Sequence, residues 1–273
     1  MIYEDEGVFI QAGEIVLGTD CSFGKNVDIR CVDRFALGDR SHLGDDVKIR
    51  GRSVSFGDDL YHSSGLDVGG GGCDRPRSTL RIGDRCTIHD NHINIAEPVY
   101  IGDDVGLSPA VTIYTHGFWW NVLHGFPAEF RSVTIGNGTI IGYRTLILPG
   151  VNIGEFCVVG AQSVVTKDLP GKSICVGSPC RKLKDIEPPP YIKKRAYVEI
   201  ILREYREIAE YHGISPFISL EFPEVRVNNC TFNLLDLNFE GEEDMETDDF
   251  RDAMRRYGLR FYSERPFRSA LKW

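Results

Sequence analysis

Several features of common protein classes are missing from this 273-residue sequence. No apolar run approaches the ~20 residues that a helix needs to span a bilayer. The amino terminus, M-I-Y-E-D, is acidic and has neither the basic region nor the apolar core of a signal peptide. Lys and Arg number 31 against 40 Asp and Glu, so the net charge is −9. That balance argues against a surface for nucleic acids or anionic membranes.

Paired cysteines are also missing, because the eight cysteines contain no Cys-x-x-Cys pair. Cys21, Cys86 and Cys157 each stand four places after an aliphatic residue of the repeat described next. We therefore interpret them as buried free thiols rather than disulfides. This interpretation fits a reducing, cytoplasmic setting.

A six-residue period runs without interruption through residues 134–165. Its hexads open on aliphatic residues, namely Ile135, Ile141, Ile147, Ile153, Val159 and Val165. Helices repeat every 3.6 residues and strands every two, so this period is typical of neither. It predicts a left-handed parallel β-helix, in which three hexads make one triangular coil around a stacked aliphatic core. A glycine follows most of the aliphatic residues, and we expect it at corners where tight turns need permissive backbone angles.

The repeat begins well before residue 134 and is interrupted twice. Hexad positions recur from Leu17 onward, and two excursions, residues 61–79 and 117–132, break the period. The first carries glycine at 69–72, which we interpret as a loop leaving the coil; whether it contacts a ligand stays open. The predicted all-β domain spans residues 1–186.

A different pattern follows a stiff proline linker at 187–190. Apolar residues spaced three and four apart predict a helix over 191–212, with Gly213 as its carboxyl cap. Alternating segments at 217–222 and 230–239 predict strands, 248–257 a short helix, and 259–262 a last strand. The acidic run 240–249 is interpreted as a solvated loop. Residues 191–273 are thus expected to form a small α+β appendage of unassigned role.

Residues 107–186 resemble the hexapeptide-repeat O-acetyltransferases, in particular the galactoside and maltose acetyltransferases. The motifs that carry this resemblance are V-V-G-A-Q-S-V-V-T-K-D-L-P at 158–170 and G-S-P-C-R-K at 177–182. The resemblance is weaker over 15–106 and absent from 187 onward. It implies transfer of an acetyl group from acetyl-CoA to a hydroxyl of a carbohydrate.

The resemblance implies that His116, at the start of the aromatic excursion, is the general base. A neutral imidazole with a pKa near ~6.5 suits removal of a hydroxyl proton for direct attack on the thioester. The backbone N–H of Gly142 is the implied donor to the oxyanion. Glu129 stands where related enzymes carry a carboxylate that orients the histidine; an exposed loop glutamate is the alternative.

Acceptor contacts are implied at Asn91, with Asn94 as a rival because the register there is uncertain. Trp119 and Trp120 in the second excursion are predicted to stack on a sugar or to pack against a neighbouring subunit. For CoA, the resemblance carries over Tyr143, Ala161, Thr166, Lys167, Arg181 and Lys184. The three cations among them suit the phosphates of CoA.

Three other functions compete with this prediction. One is N-acetylation of a nucleotide-linked amino sugar on the same coil. Another is a zinc enzyme resembling γ-class carbonic anhydrase, with His89, His92 and His116 as ligands; their spacing does not match that class, and no metal is expected. The last is a non-catalytic scaffold. Self-association is expected, since open ends and faces of such a coil need covering. The acetyltransferase hypothesis includes a homotrimer with active sites between subunits.

Overall fold

The computed structural model describes residues 1–73 and 75–271. The chain divides into two compact units, the first Met1–Glu187 and the second beginning at Pro188. Each unit has its own hydrophobic core. No helix in the described part of the chain is long and apolar enough to cross a bilayer.

The first unit is a parallel β-solenoid of short strands. In chain order the strands are β1 (Ile2–Asp5), β2 (Val8–Gln11), β3 (Glu14–Leu17), β4 (Ser22–Phe23), β5 (Val27–Leu37), β6 (His42–Asp45), β7 (Val47–Phe56), β8 (Tyr61–Ser64), β9 (Asp67–Gly69), β10 (Thr79–Ile82), β11 (Thr87–Ile88), β12 (His92–Asn94), β13 (Val99–Ile101), β14 (Gly106–Leu107), β15 (Thr112–Ile113), β16 (His116–Phe118), β17 (Ala128–Phe130), β18 (Val133–Ile135), β19 (Ile140–Ile141), β20 (Leu146–Ile147), β21 (Asn152–Ile153), β22 (Val158–Val159), β23 (Val164–Val165), β24 (Ser173–Gly177) and β25 (Cys180–Asp185).

Three stacks of parallel strands form the faces of the solenoid. One stack is β9-β12-β15-β20-β23 and another is β7-β10-β13-β18-β21; they belong to one sheet because the long strand β7 pairs with both. The third face runs from β4 to β24 and ends in the antiparallel hairpin β24–β25. Ile135 pairs with Ile153, three hexads further on. The predicted fold class, a β-helix of hexapeptide repeats, is confirmed.

The aliphatic positions of the hexads stack inside the coil and are buried, as predicted. The small residues four places on are buried as well; these are Thr139, Thr145, Val151, Cys157 and Ser163. All eight cysteines are free. Cys86 and Cys157 lie in the core as predicted, whereas Cys21 is half-buried.

The glycine after each aliphatic residue has a different role from the expected one. A Cβ built on Gly136 would lie 2.6 Å from the backbone nitrogen of Glu155, and one on Gly142 would lie 2.5 Å from that of Ala161. Glycine is therefore required because adjacent coils approach closely. The left-handed corner conformation belongs to the residue two places later, namely Asp20, Asn26, Arg40, Asp46, Asp59, Arg85, Asp104, Gly138, Arg144, Phe156 and Gln162.

The first excursion is shorter than predicted, because residues 61–69 remain in the coil. His62 pairs with Leu43 and Ile88, and Val68 pairs with Ile49 and Ile93. His62 is fully buried at an aliphatic position, and burial lowers its pKa to about 4. The chain leaves the coil only at Gly70 and returns at β10.

The second excursion is a hairpin. β16 and β17 pair in an antiparallel manner, with Gly117 opposite Glu129, and a 3-10 turn (Val122–His124) lies between them. The coil resumes at β18. The chain therefore leaves and rejoins the solenoid at one corner, at the end of β15.

The second unit packs two helices against a small antiparallel sheet. The helices are α1 (Tyr191–Tyr211) and α2 (Met245–Met254), and the strands are β26 (Ile218–Glu221), β27 (Glu224–Val227), β28 (Cys230–Asn233) and β29 (Asn238–Gly241). Gly213 and Gly258 adopt the left-handed conformation after the two helices. Residues 259–262 form no strand, so that prediction is wrong.

The acidic run 240–249 is not a solvated loop throughout. Its second half begins α2, and Asp248 and Asp249 are buried. The Asp248 carboxylate lies 3.3 Å from the buried guanidinium of Arg251, and Asp249 accepts a hydrogen bond from His212 at 2.7 Å. Pairing with cations and imidazole allows these carboxylates to enter the core.

Candidate active site

His116 lies where the chain leaves the solenoid, as the first residue of β16. The preceding residue, Thr115, is fully buried, while the imidazole is half-buried. The ring stacks on Phe130 with centroids 5.8 Å apart and contacts Phe118 at 5.5 Å. The hairpin therefore holds the imidazole against the corner of the coil.

The side chain of Asn94 fixes the orientation of this imidazole from below. Asn94 is 1% exposed, and its Oδ1 lies 2.8 Å from His116 Nδ1. The same oxygen accepts from Thr115 Oγ1 at 2.7 Å and from the N–H of Ala96 at 3.2 Å. Asn94 Nδ2 donates to the carbonyl oxygen of Gly69 at 2.9 Å, and this bond identifies Oδ1 as the acceptor end of the amide. Nδ1 must then carry the proton, and Nε2 of the neutral ring has the lone pair.

Burial lowers the pKa of His116 below its ordinary value. Loss of hydration penalises the cation, so the neutral form dominates at neutral pH. Nε2 is thus available to accept a proton. A Cβ built on Gly71 would lie 3.6 Å from Nε2, so the first excursion passes over this atom.

Glu129 does not contact the imidazole in the structure. Its carboxylate pairs with Arg131 at 3.0 Å, and both side chains are exposed. This arrangement matches the alternative of an exposed loop glutamate, and the hydrogen-bond partner of the imidazole is Asn94. The sequence feature that could have indicated a structural role for Asn94 is its place as a polar residue within the otherwise apolar segment I-N-I-A.

Asn91 and Asn94 are both buried and hydrogen bonded to the chain itself. The Asn91 amide donates to the carbonyl oxygen of Ser108 and accepts from the N–H of His89, both at 2.9 Å. These bonds fix a corner of the coil and leave the predicted contact of Asn91 with an acceptor without structural support. Trp119 and Trp120, at the hairpin tip, are 83% and 65% exposed.

The backbone N–H of Gly142 is engaged within the coil. It donates to the carbonyl oxygen of Val159 at 2.8 Å. This hydrogen bond is part of the stacking between coils. It gives no support to the predicted role of Gly142 as oxyanion donor, which stays a prediction.

The other predicted CoA residues lie along the last coils of the solenoid and are exposed. Tyr143 and Ala161 follow β19 and β22 at one end of the face β15-β20-β23, and Thr166 and Lys167 follow β23 at the other. Thr166 occupies the position of Tyr114 two coils away, because Ile113, Ile147 and Val165 are in register. Arg181 and Lys184 lie on β25.

The three histidines of the zinc alternative have separate partners. His89 Nδ1 lies 2.8 Å from Ser63 Oγ, and His92 Nδ1 lies 3.4 Å from Asp67 Oδ2. Among residues 1–73 and 75–271, no group of three His, Cys, Asp or Glu side chains is arranged to hold a metal ion.

Comparisons with known proteins support the prediction of a hexapeptide repeat. Residues 132–167 match the family model for the bacterial transferase hexapeptide (six repeats). The galactoside O-acetyltransferase of Escherichia coli (strain K12) is 40% identical over 96 residues, which are 32% of this chain and 44% of that protein. The chain thus matches less than half the length of that relative.

Solved structures match this chain at low overall similarity. A maltose O-acetyltransferase from Clostridium difficile 630 has 24% identity and a TM-score of 0.35, over 65% of this chain and 71% of its own. A mutant of AntD, an N-acyltransferase from Bacillus cereus in complex with dTDP and coenzyme A, has 21% identity and a TM-score of 0.40, over 63% and 91%. At these scores the structural likeness carries no functional argument. The repeat match and the galactoside O-acetyltransferase match confirm that this chain resembles the hexapeptide-repeat acetyltransferases.

Proposed function

We propose that the protein transfers an acetyl group from acetyl-CoA to a hydroxyl of a carbohydrate, with His116 as the general base. The observation that carries the proposal is the hydrogen bond between Asn94 Oδ1 and His116 Nδ1. It presents a neutral Nε2 at the rim of a cleft, which is what a base for a hydroxyl requires. The 40% identity to a galactoside O-acetyltransferase supports a carbohydrate acceptor.

In this mechanism the work of the protein is proton transfer and positioning. Acetyl-CoA supplies the acetyl group as a thioester. Nε2 of His116 takes the hydroxyl proton as the acceptor oxygen bonds to the acetyl carbon, and the carbon–sulfur bond breaks. His116 then returns the proton from Nε2 to the CoA sulfur, so no net proton is gained or lost. Asn94 stabilises the transient imidazolium because Nδ1 stays hydrogen bonded throughout.

We place an extended CoA molecule along the last coils of the solenoid. Tyr143, Ala161 and Thr166 border one straight, exposed face, along which the pantetheine arm is placed. Lys167, Arg181 and Lys184 are exposed cations in a chain of net charge −9. Their local positive charge suits the phosphates of CoA. Assembly as a homotrimer, with active sites between subunits, is part of the proposal.

The proposal is tested by calorimetric titration with acetyl-CoA, followed by a thiol-release assay against neutral sugars, amino sugars and nucleotide-linked amino sugars. We expect saturable acetyl-CoA binding and thiol release that depends on a hydroxyl acceptor. Acetylation of an amine instead would establish the N-acetyltransferase alternative. Absence of acetyl-CoA binding would exclude both the O-acetyltransferase and the N-acetyltransferase function.

A further inference from the structure

The side chain of Tyr114 lies on the outside of the coil, beside the proposed base. Tyr114 follows the buried Ile113 at the end of β15 and is 37% exposed. Its ring meets that of His116 edge to face, with centroids 6.4 Å apart and planes at 86°. A second edge-to-face contact joins it to the ring of His92 at 5.8 Å. Two aromatic contacts therefore hold the phenol in place next to His116.

Tyr114 also stands at the start of the face on which we place CoA. The buried aliphatic residues of β12, β15, β20 and β23 are in register, so the residues that follow them form one outward column, namely Asn94, Tyr114, Leu148 and Thr166. Neighbouring coils are spaced by about 4.8 Å. Tyr114 is thus one coil from the residue that holds the imidazole and two coils from Thr166, which is predicted to contact CoA.

The hydroxyl of Tyr114 is not engaged by the part of the chain that the structure describes. Within residues 1–73 and 75–271 it makes no hydrogen bond. The N–H of Gly142, by contrast, donates to Val159 within the coil. A phenol O–H is a good donor, and a donor that is already fixed needs no reorganisation when negative charge develops in front of it.

We propose that the Tyr114 hydroxyl donates a hydrogen bond to the thioester oxygen of acetyl-CoA and stabilises the oxyanion that forms there. This inference rests on the proposed acetyltransferase function. Nε2 of His116 takes the acceptor proton, the acceptor oxygen bonds to the carbonyl carbon, and the carbonyl oxygen becomes the oxyanion. The carbonyl re-forms as the carbon–sulfur bond breaks, and the sulfur takes the proton from Nε2. Tyr114 keeps its own proton throughout.

The spacing of the two rings suits this division of work. A general base acts within about 2.6–3.2 Å of the acceptor oxygen, and an oxyanion donor within about 2.7–3.1 Å of the oxyanion. Both oxygens are bonded to one carbon, so the base and the donor must be neighbours. The contact between Tyr114 and His116 meets this requirement on the side of the regular coils, where the donor is placed.

The test is Tyr114→Phe, which removes the hydroxyl and keeps the ring against His116. We expect kcat with saturating substrates to fall at least about 10-fold, while the acetyl-CoA affinity measured by calorimetry is unchanged. Loss of one oxyanion donor costs about 100–1,000-fold in a water-excluded site, and water partly replaces the hydroxyl of a residue that is 37% exposed. Tyr100→Phe, at a 46% exposed tyrosine of β13 on another face, is the matched control and should behave as wild type.

The pH–rate profile separates this role from one exerted through the imidazole. A donor to the thioester acts on the acetyl group, so Tyr114→Phe should lower kcat at every pH and leave the acid limb in place. A displaced acid limb would show that Tyr114 acts on His116 and would overturn the inference. A raised KM for acetyl-CoA with unchanged kcat would also overturn it, because the hydroxyl would then bind the ground state and the transition state equally.

Failure of this inference and failure of the proposed function give different results. If wild type binds acetyl-CoA and releases thiol, and Tyr114→Phe is no slower than Tyr100→Phe, Tyr114 loses its role and the acetyltransferase stands. If wild type neither binds acetyl-CoA nor releases thiol, the proposed function and this inference are both overturned.

Discussion

At the residue scale, the Asn94 amide is the group on which the site depends. Its two atoms join Gly69, Gly71, Ala96, Thr115 and His116 through hydrogen bonds. This amide therefore ties the first excursion, the corner of the coil and the proposed base together. We propose that it positions His116, since the buried side chain is fully used by protein partners.

Replacement of Asn94 should change both the rate and its pH dependence. Asn94→Ala removes the acceptor for Nδ1–H, and we expect kcat to fall at least about 10-fold. Asn94→Asp keeps an acceptor but adds a negative charge, which favours the imidazolium and should move the acid limb of the pH–rate profile to higher pH. The measurement is kcat against pH with saturating acetyl-CoA.

Asn91→Ala is the matched control, because this asparagine is equally buried but bonds only to the backbone of a corner. It should cost stability without moving the pH profile. A shift for Asn91→Ala as large as that for Asn94→Asp would show that the profile reports general damage to the coil.

At the element scale, the close approach of coils explains the glycine of each hexad. Gly136→Ala should destabilise the solenoid by about 1–3 kcal/mol, because its Cβ would meet backbone atoms of Glu155 and Gly154 at 2.6–2.9 Å. Gly106→Ala is the control, since its Cβ would lie an ordinary 3.5 Å from the Ile140 side chain. Denaturant unfolding checks both; equal losses of stability would contradict the explanation.

The repeat made most of the solenoid predictable, because a strict hexad leaves the aliphatic positions no alternative to stacking. It failed at residues 61–69, although Phe56, His62 and Val68 keep the six-residue spacing. The register was not recognised because a histidine occupies the aliphatic position. The stacked coils bury His62, and burial lowers its pKa so that the imidazole is neutral in the core. The glycines were misinterpreted for a related reason. Local sequence suggests backbone angles, whereas the need for glycine comes from close contact with the adjacent coil, which is distant only in sequence.

The candidate site was only partly predictable from the sequence. His116 could be identified from the sequence because its sequence context resembles the acetyltransferases. The sequence singled out Asn94, but as a contact to the acceptor. Only the fold shows that Asn94, at the end of β12, lies beside His116 at the start of β16. Gly71 had no individual signal in the sequence, because its proximity to His116 depends on where the first excursion leaves the coil.

At the scale of the whole molecule, the residues proposed for CoA and the proposed base lie in different parts of the first unit. The regular coils at its carboxyl end carry the residues proposed for CoA, and the two excursions border a cavity beside the proposed base. His116 lies at the corner where the second excursion leaves the coil. Regularity suits a long extended donor, while an interruption of the coil creates a cavity.

The most direct test of this account is the rate of acetyl transfer by His116→Ala, measured with wild type across pH. We expect turnover to fall at least about 100-fold while acetyl-CoA affinity is retained. Because burial lowers the pKa of His116, wild-type kcat/KM should be flat at neutral pH and decrease only at a pH lower than an ordinary histidine would give. Unchanged turnover of His116→Ala would contradict the account.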